Sequence, residues 1–255
     1  MQLPAPRLPH FDIADWQRRP FAERLKMACQ DWALQGYGTP APVYAVYLVK
    51  IGFYAGMWLL FCSMSASLGG PGSIGAWWAS PEALKKAVLW SMAFEGMGLG
   101  CGSGPLTARY FPPIGGVLHF VRPGTTKMPL FPGLPLVGGH LRTWFDAGLY
   151  VSHLVFLFRA LIAPEVTAEL LLPAAILLPV LGLCDKTIFL ASRAEHYYSV
   201  LVCALFPAAF LPGSKAVWLA IWLWAATSKV NRHFPAVVCV MVSNSPVLAW
   251  PWLRK

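Results

Sequence analysis

Residues 143–183 read TWFDAGLYVSHLVFLFRALIAPEVTAELLLPAAILLPVLGL. Two apolar runs, 143–163 and 168–183, are separated by a very short connection without Lys or Arg. A helix crossing the hydrocarbon core of a bilayer needs about 20 predominantly apolar residues, so the pair predicts two transmembrane helices. In the first, Asp146, His153 and Arg159 are spaced by seven and six residues, which predicts one broad polar face turned into a bundle. The second carries Pro173 and Pro179, which membrane helices tolerate through local adjustment of the freed backbone groups.

The same pattern extends outward. Of 255 residues, 57% are hydrophobic and only 12% charged, whereas a soluble domain is about a quarter charged. The 12 Trp, 15 Phe and 8 Tyr rule out a disordered chain. Further spans are predicted over 43–67, 84–102, 194–211 and 216–231. Lys50 lies near the start of the first, where its side chain can snorkel to the interface. The 84–102 span opens with Lys85 and Lys86, holds Glu95 at its middle and ends in GMGLGCGSGP (96–105). Such a glycine-rich end cannot be a straight, lipid-exposed helix. Residues 103–142 form a Pro- and Gly-containing loop; loops of that length are usually functional or disordered, and its Phe, Leu and Val predict packing on the membrane face. Residues 1–42 are polar and basic, and PFAERLKMACQDWALQGYG (20–38) reads either as an interfacial amphipathic helix or as an ordinary surface helix. Residues 233–255 hold a broken apolar run, re-entrant or interfacial. The fold class is all-α: a polytopic transmembrane helical bundle of about six spans.

Charge placement gives the orientation. Arg7, Arg18, Arg19, Arg24, Lys26, Arg109, Arg122, Lys127, Arg142, Lys186, Arg193, Lys229, Arg232, Arg254 and Lys255 fall on one side of this topology. Only Lys85, Lys86 and Lys215 fall on the other. By the positive-inside rule both termini are cytoplasmic. The same rule accounts for the net charge of +9, so nucleic acid is not an expected partner. Membrane lipid is, together with other membrane subunits. The six cysteines form no CxxC pair, and the N-terminus lacks the early apolar core of a signal peptide.

Chemistry is sought where ionisable groups interrupt apolar runs. In WLWAATSKVNRHFPAVVCVMVSNSP (222–246), Lys229 ends an aromatic helix and is followed by Asn231, Arg232 and His233. A lysine partly buried among apolar groups can act as a base or nucleophile; the alternative is a helix end at the headgroups. Asp185, Lys186, Glu195 and His196 flank a short stretch. There Glu195–His196 offers an acid/base couple, and a Lys186–Glu195 salt bridge is the alternative. Glu95 needs a partner, a proton or a cavity, with Lys50, His153 and Arg159 as candidate partners. Arg122 and Lys127 bracket two threonines and could hold an anionic lipid headgroup, or simply form a basic loop. No metal-ligand spacing appears, and no pattern specifies a cofactor.

WAATSKVNRHF (224–234) resembles the lysine-bearing helix end of the vitamin-K-dependent gamma-carboxylase-like (HTTM) membrane family. That resemblance implies a catalytic base at Lys229 acting on a quinol. Ala226 and His233–Phe234 depart from the family pattern, so a shared membrane scaffold is what carries over. The whole chain is more similar to an uncharacterised family of bacterial multi-pass membrane proteins. The matching stretches are FEGMGLGCGSGPLTARYFPP (94–113), FVRPGTTKMPLFPG (120–133), CDKTIFLASRAEHYY (184–198) and SKVNRHFPAVVCVMVSNSP (228–246). Members of that family continue beyond the point where WLRK ends this chain, which reads as a short or truncated member. Three functions follow as expectations: a membrane enzyme acting on a lipid, quinone or acyl substrate with Lys229 as base; a transporter or channel; or a non-catalytic scaffold subunit.

Overall fold

The computed structural model describes residues 9–35, 41–100, 114–232, 234–235 and 238, and the regular elements among them are all helices. The chain forms two compact units, residues 1–46 with 222–255 and residues 47–221. In the smaller, α1 (Ile13–Arg18) is capped by the Asp12 carboxylate, which accepts from Ala14 N, and α2 (Phe21–Gln35) follows at once. The Trp16 indole donates to Arg24 O (2.8 Å) while the Arg24 guanidinium lies over its ring, which fixes the corner between the two helices. Phe21 and Leu25 remain exposed on α2.

Next come α3 (Ala41–Ser63), α4 (Ile74–Trp77), α5 (Pro81–Gly96), α6 (Ile114–Phe120), α7 (Trp144–Ile162), α8 (Ala168–Cys184), α9 (Lys186–Ala191), α10 (Ala194–Ala204) and α11 (Phe210–Ser228). The unit boundaries cut α3 and α11. Three stretches are long and apolar enough to cross a membrane: Ala45–Ser63, Trp144–Ile162 and Pro207–Ser228; Ala168–Cys184 is a shorter apolar helix.

Within the larger unit, α7 packs along α8 and α5, and α10 packs on α5 and α8. Their shared core includes Trp90, Phe94, Leu157, Leu161, Leu171, Leu178 and Leu201. In lipid such helices associate through close packing and hydrogen bonds, because the surroundings are as apolar as the side chains. Large apolar residues left exposed on α7 and α8, such as Val155 and Ile176, suit contact with acyl chains.

The ends of the bundle set its direction. Lys86, fully buried, donates to Phe61 O at the end of α3 (2.7 Å) and to Ala163 O just beyond α7 (2.9 Å). Its neighbour Lys85 donates to Val166 O (2.9 Å), and the Glu82 carboxylate accepts from Val166 N (2.7 Å). Ala66 N donates to Pro164 O (3.0 Å), and Phe210 at the start of α11 lies under the Lys85 ammonium. The connections 64–80, 163–167 and 205–209 therefore meet at one end. At the other, the Tyr150 hydroxyl near the start of α7 donates to Gly96 O at the end of α5 (2.9 Å), and Ser192 lies against Gly96. Successive long helices of this unit alternate in direction.

Several helices differ from their expected extents. α5 stops at Gly96, ahead of Gly98 at φ 77°, a left-handed geometry that glycine adopts without penalty. Gly116 lets α6 approach this turn, since a Cβ there would come within 2.4 Å of Met97 O. α10 ends at Ala204, shortly before Pro207, whose missing N–H cannot continue the ladder. Arg159 is exposed, unlike buried Asp146 and His153. Seven residues return a helix to nearly the same face, whereas six turn it through about 240°, so the expected three-residue polar face does not form.

Candidate functional site

The described part of the long loop, residues 114–142, is fastened to the bundle by buried charges. Thr143 and Asp146 form a capping box at the start of α7, and both oxygens of Asp146 also accept from the Lys127 ammonium (2.6 and 2.7 Å). The Arg142 guanidinium pairs with Asp185, donates to Thr125 Oγ1 (2.5 Å) and His119 O (3.2 Å), and stacks over Phe120. Asp185 in turn caps α9 by accepting from Thr187 N (2.9 Å), and holds the loop by accepting from Met128 N (3.1 Å). Both ion pairs are essentially without solvent exposure. Burial, and then the Arg142 charge, push the His119 imidazole below its ordinary pKa, with Asp185 opposing. Lys127 and Asp185 are thus already occupied inside this cluster, and Arg122 is exposed. Buried charges require partners, and Lys127 and Asp185 find theirs in Asp146 and Arg142.

The second polar site lies on the α3–α5–α10 face of the larger unit. A cleft of about 230 Å³ is lined by Lys50, Ile51 and Tyr54 of α3, Ser91, Phe94 and Glu95 of α5, and Tyr197 of α10. Lys50 and Tyr54 are four residues apart, as are Ser91 and Glu95, so each helix turns one polar pair to the same face. The Lys50 ammonium donates to Gly100 O (3.2 Å), leaving two of its three donors for other groups. Tyr54 and Ser91 share a 2.7 Å hydrogen bond between their hydroxyls. The Glu95 carboxyl lies against the backbone at Gly100, where any Cβ would overlap it at 1.7 Å. Neither Lys50 nor Glu95 belongs to an ion pair among the described residues. Lys50 is thus the neighbour of Glu95 among the three proposed from sequence; His153 and Arg159 do not line the cleft. Tyr54, Ser91 and Tyr197 were missed, although the four-residue spacing of each pair is a readable signal.

The remaining candidates are dispersed. Glu195 reaches His196 Nδ1 (3.4 Å) and Arg193 (3.9 Å). Lys229 is exposed, with its ammonium 5.8 Å from the Phe234 ring centroid, and Asn231 Nδ2 donates to Ser228 O (2.6 Å). His233 lies outside the described residues. Among the described residues no three His, Cys, Asp or Glu side chains gather in a metal-binding group.

Three apolar stretches of membrane-crossing length in an all-helical fold define a transmembrane protein. The chain belongs to a family of transmembrane proteins of unknown function (DUF3556), whose model matches residues 1–255. No curated protein and no solved structure matches it.

Proposed function

We propose that this is a six-pass protein of the bacterial cell membrane that binds and acts on a membrane-dissolved amphiphile of the lipid, quinone or acyl class at the Lys50–Glu95 cleft. The observation carrying this reading is the cleft itself: a cation, a carboxyl and three hydroxyl-bearing side chains around about 230 Å³ of space, set among apolar helices. Polar groups at that depth are costly and usually functional. Ligand pockets are mostly somewhat larger, about 300–1,000 Å³, so this one suits the polar end of a molecule whose chain stays in lipid. Exposed Leu48, Val49, Ile51 and Phe53 on α3 provide an apolar surface beside it.

The meeting of three connections at one end of the larger unit supports six crossings by α3, α5, α7, α8, α10 and α11. With the charge bias, it supports a cytoplasmic position for both termini. Exposed Phe21 and Leu25 support an interfacial position for α2. An acid–base role is assigned here to Glu95 at the cleft; Lys229, the base expected from sequence, is exposed with its ammonium over the Phe234 ring. A photoactivatable single-chain lipid, crosslinked to the full chain in nanodiscs and mapped by mass spectrometry, tests this. Labelling of the 47–54 and 91–97 stretches is expected. Labelling confined to residues around Lys229 would move the site there and overturn the reading.

A further inference from the structure

The cleft is small and its charges are few. At roughly 30 Å³ per water-sized group, its volume holds about seven or eight groups: a compact head and a few methylenes. The cleft therefore suits a compact head with the rest of the molecule outside it. With Glu95 ionised, its charge and that of Lys50 cancel. With Glu95 protonated, the cleft carries one net positive charge, two free ammonium donors and a carboxyl O–H.

We infer that the cleft takes the carboxylate head of a single-chain fatty acid, and that one proton is bound with it. This rests on the reading of the cleft as a site for an amphiphile's polar end. The ligand carboxylate accepts from Lys50 Nζ and from the hydroxyls of Tyr54 or Tyr197. Its second oxygen faces Glu95, and two facing carboxylates cannot both stay ionised, so they share a single proton taken from water. No bond other than that O–H is made. Gly100 is the structural requirement, since only a residue without Cβ leaves the Glu95 carboxyl room to lie where it does. A fatty amine gives the opposite linkage: it needs Glu95 ionised, meets the Lys50 charge and binds more tightly as pH rises. The titratable and charged groups on elements around Glu95 are Lys50 and Tyr54 of α3, Arg193, Glu195 and Tyr197 at and in α10, and Tyr150 and His153 of α7.

The test uses the full chain in nanodiscs of neutral phosphatidylcholine, titrated with dodecanoate, dodecanesulfonate, dodecylamine and lysophosphatidylcholine. The sulfonate stays ionised throughout, so any pH dependence of its binding belongs to the protein. Both anions are expected to bind, with sulfonate affinity falling up to about tenfold per pH unit over the range where Glu95 releases its proton. Glu95→Gln flattens that slope. Lys50→Met weakens sulfonate binding by about 10- to 150-fold, the worth of a charged hydrogen bond; Lys50→Gln replaces it if the methionine variant does not fold. A slope that persists in Glu95→Gln, or a preference for the amine, overturns the inference. Lysophosphatidylcholine bound best and weakened by both variants overturns it while leaving the cleft as a lipid site. No amphiphile binding that responds to either variant overturns both.

Discussion

Neutralising Asp185 while keeping its shape isolates the worth of the Arg142–Asp185 pair. In Asp185→Asn the side-chain oxygen can still cap α9 and accept from Thr187 N and Met128 N, since Asn caps helices as well as Asp does. What is lost is the negative charge opposite a guanidinium that has no solvent exposure and whose Nε already lacks a partner among the described residues. Removing one member of a buried pair costs about 3–5 kcal/mol, because the other charge is left buried and unpaired. The Thr125, His119 O and Phe120 contacts of Arg142 remain, which favours the lower end of that range. The readout is hydrogen exchange of the loop amides that bond to the bundle or across the loop, those of Lys127, Leu130 and Arg142. At about 1.4 kcal/mol per factor of ten, their exchange is expected to quicken by roughly 100-fold or more in detergent micelles. Arg142→Met with Asp185→Asn removes both charges, and exchange should return to within about tenfold of the unaltered protein, since apolar replacement of a whole buried pair is often neutral. A single variant that alters exchange less than about threefold, which is under 1 kcal/mol, would refute the assignment of the loop's attachment to this pair.

Four further outcomes follow from other sites. The depressed His119 pKa means that the unfolded or detached loop binds more protons, so stability is fully present above about pH 6.5 and is lost as pH falls below it; loop exchange should accelerate on acidification, and a His119→Asn variant should not show that dependence. Gly116→Ala places a Cβ 2.4 Å from Met97 O and should cost about 1–3 kcal/mol, lowering the melting temperature followed by tryptophan fluorescence. Lys86→Met removes the ammonium from Ala163 O and from Phe61 O, which keeps only its bond from Met64 N, and should destabilise by about 1–3 kcal/mol in the same assay, with Lys86→Arg partly restoring it. Single cysteines at Ser73 and Leu136 in a chain freed of its native cysteines should react with a membrane-impermeant maleimide from opposite faces of sealed vesicles; labelling from the same face would refute the six-pass topology.

Residues 143–183 were sufficient to place α7 and α8 to within a residue at each end, because uninterrupted apolar length is written directly into the chain. α5 and α10 were legible as apolar but not in extent, because their ends depend on a left-handed glycine and on a proline acting through the backbone. For the candidate site, Glu95 was visible as a carboxylate at membrane depth, and Lys50 was one of three conceivable partners. Choosing among them needs the α3–α5 register, which no local pattern encodes. Lys127 and Asp185 looked available because a sequence shows charges without their distances. The fold brings each within bonding reach of an opposite charge from a distant segment.

The sequence by itself determined that this is an all-helical transmembrane protein, since apolar runs of bilayer length leave few other solutions for their backbone groups. The tertiary structure alone decided which charges are spent on holding the molecule together and which remain available. That division depends on contacts between residues far apart in the chain, such as Lys86 with Ala163, Arg142 with Asp185, and Tyr54 with Ser91. Pairing at such separations is fixed by how helices pack, and packing is a property of the assembled bundle.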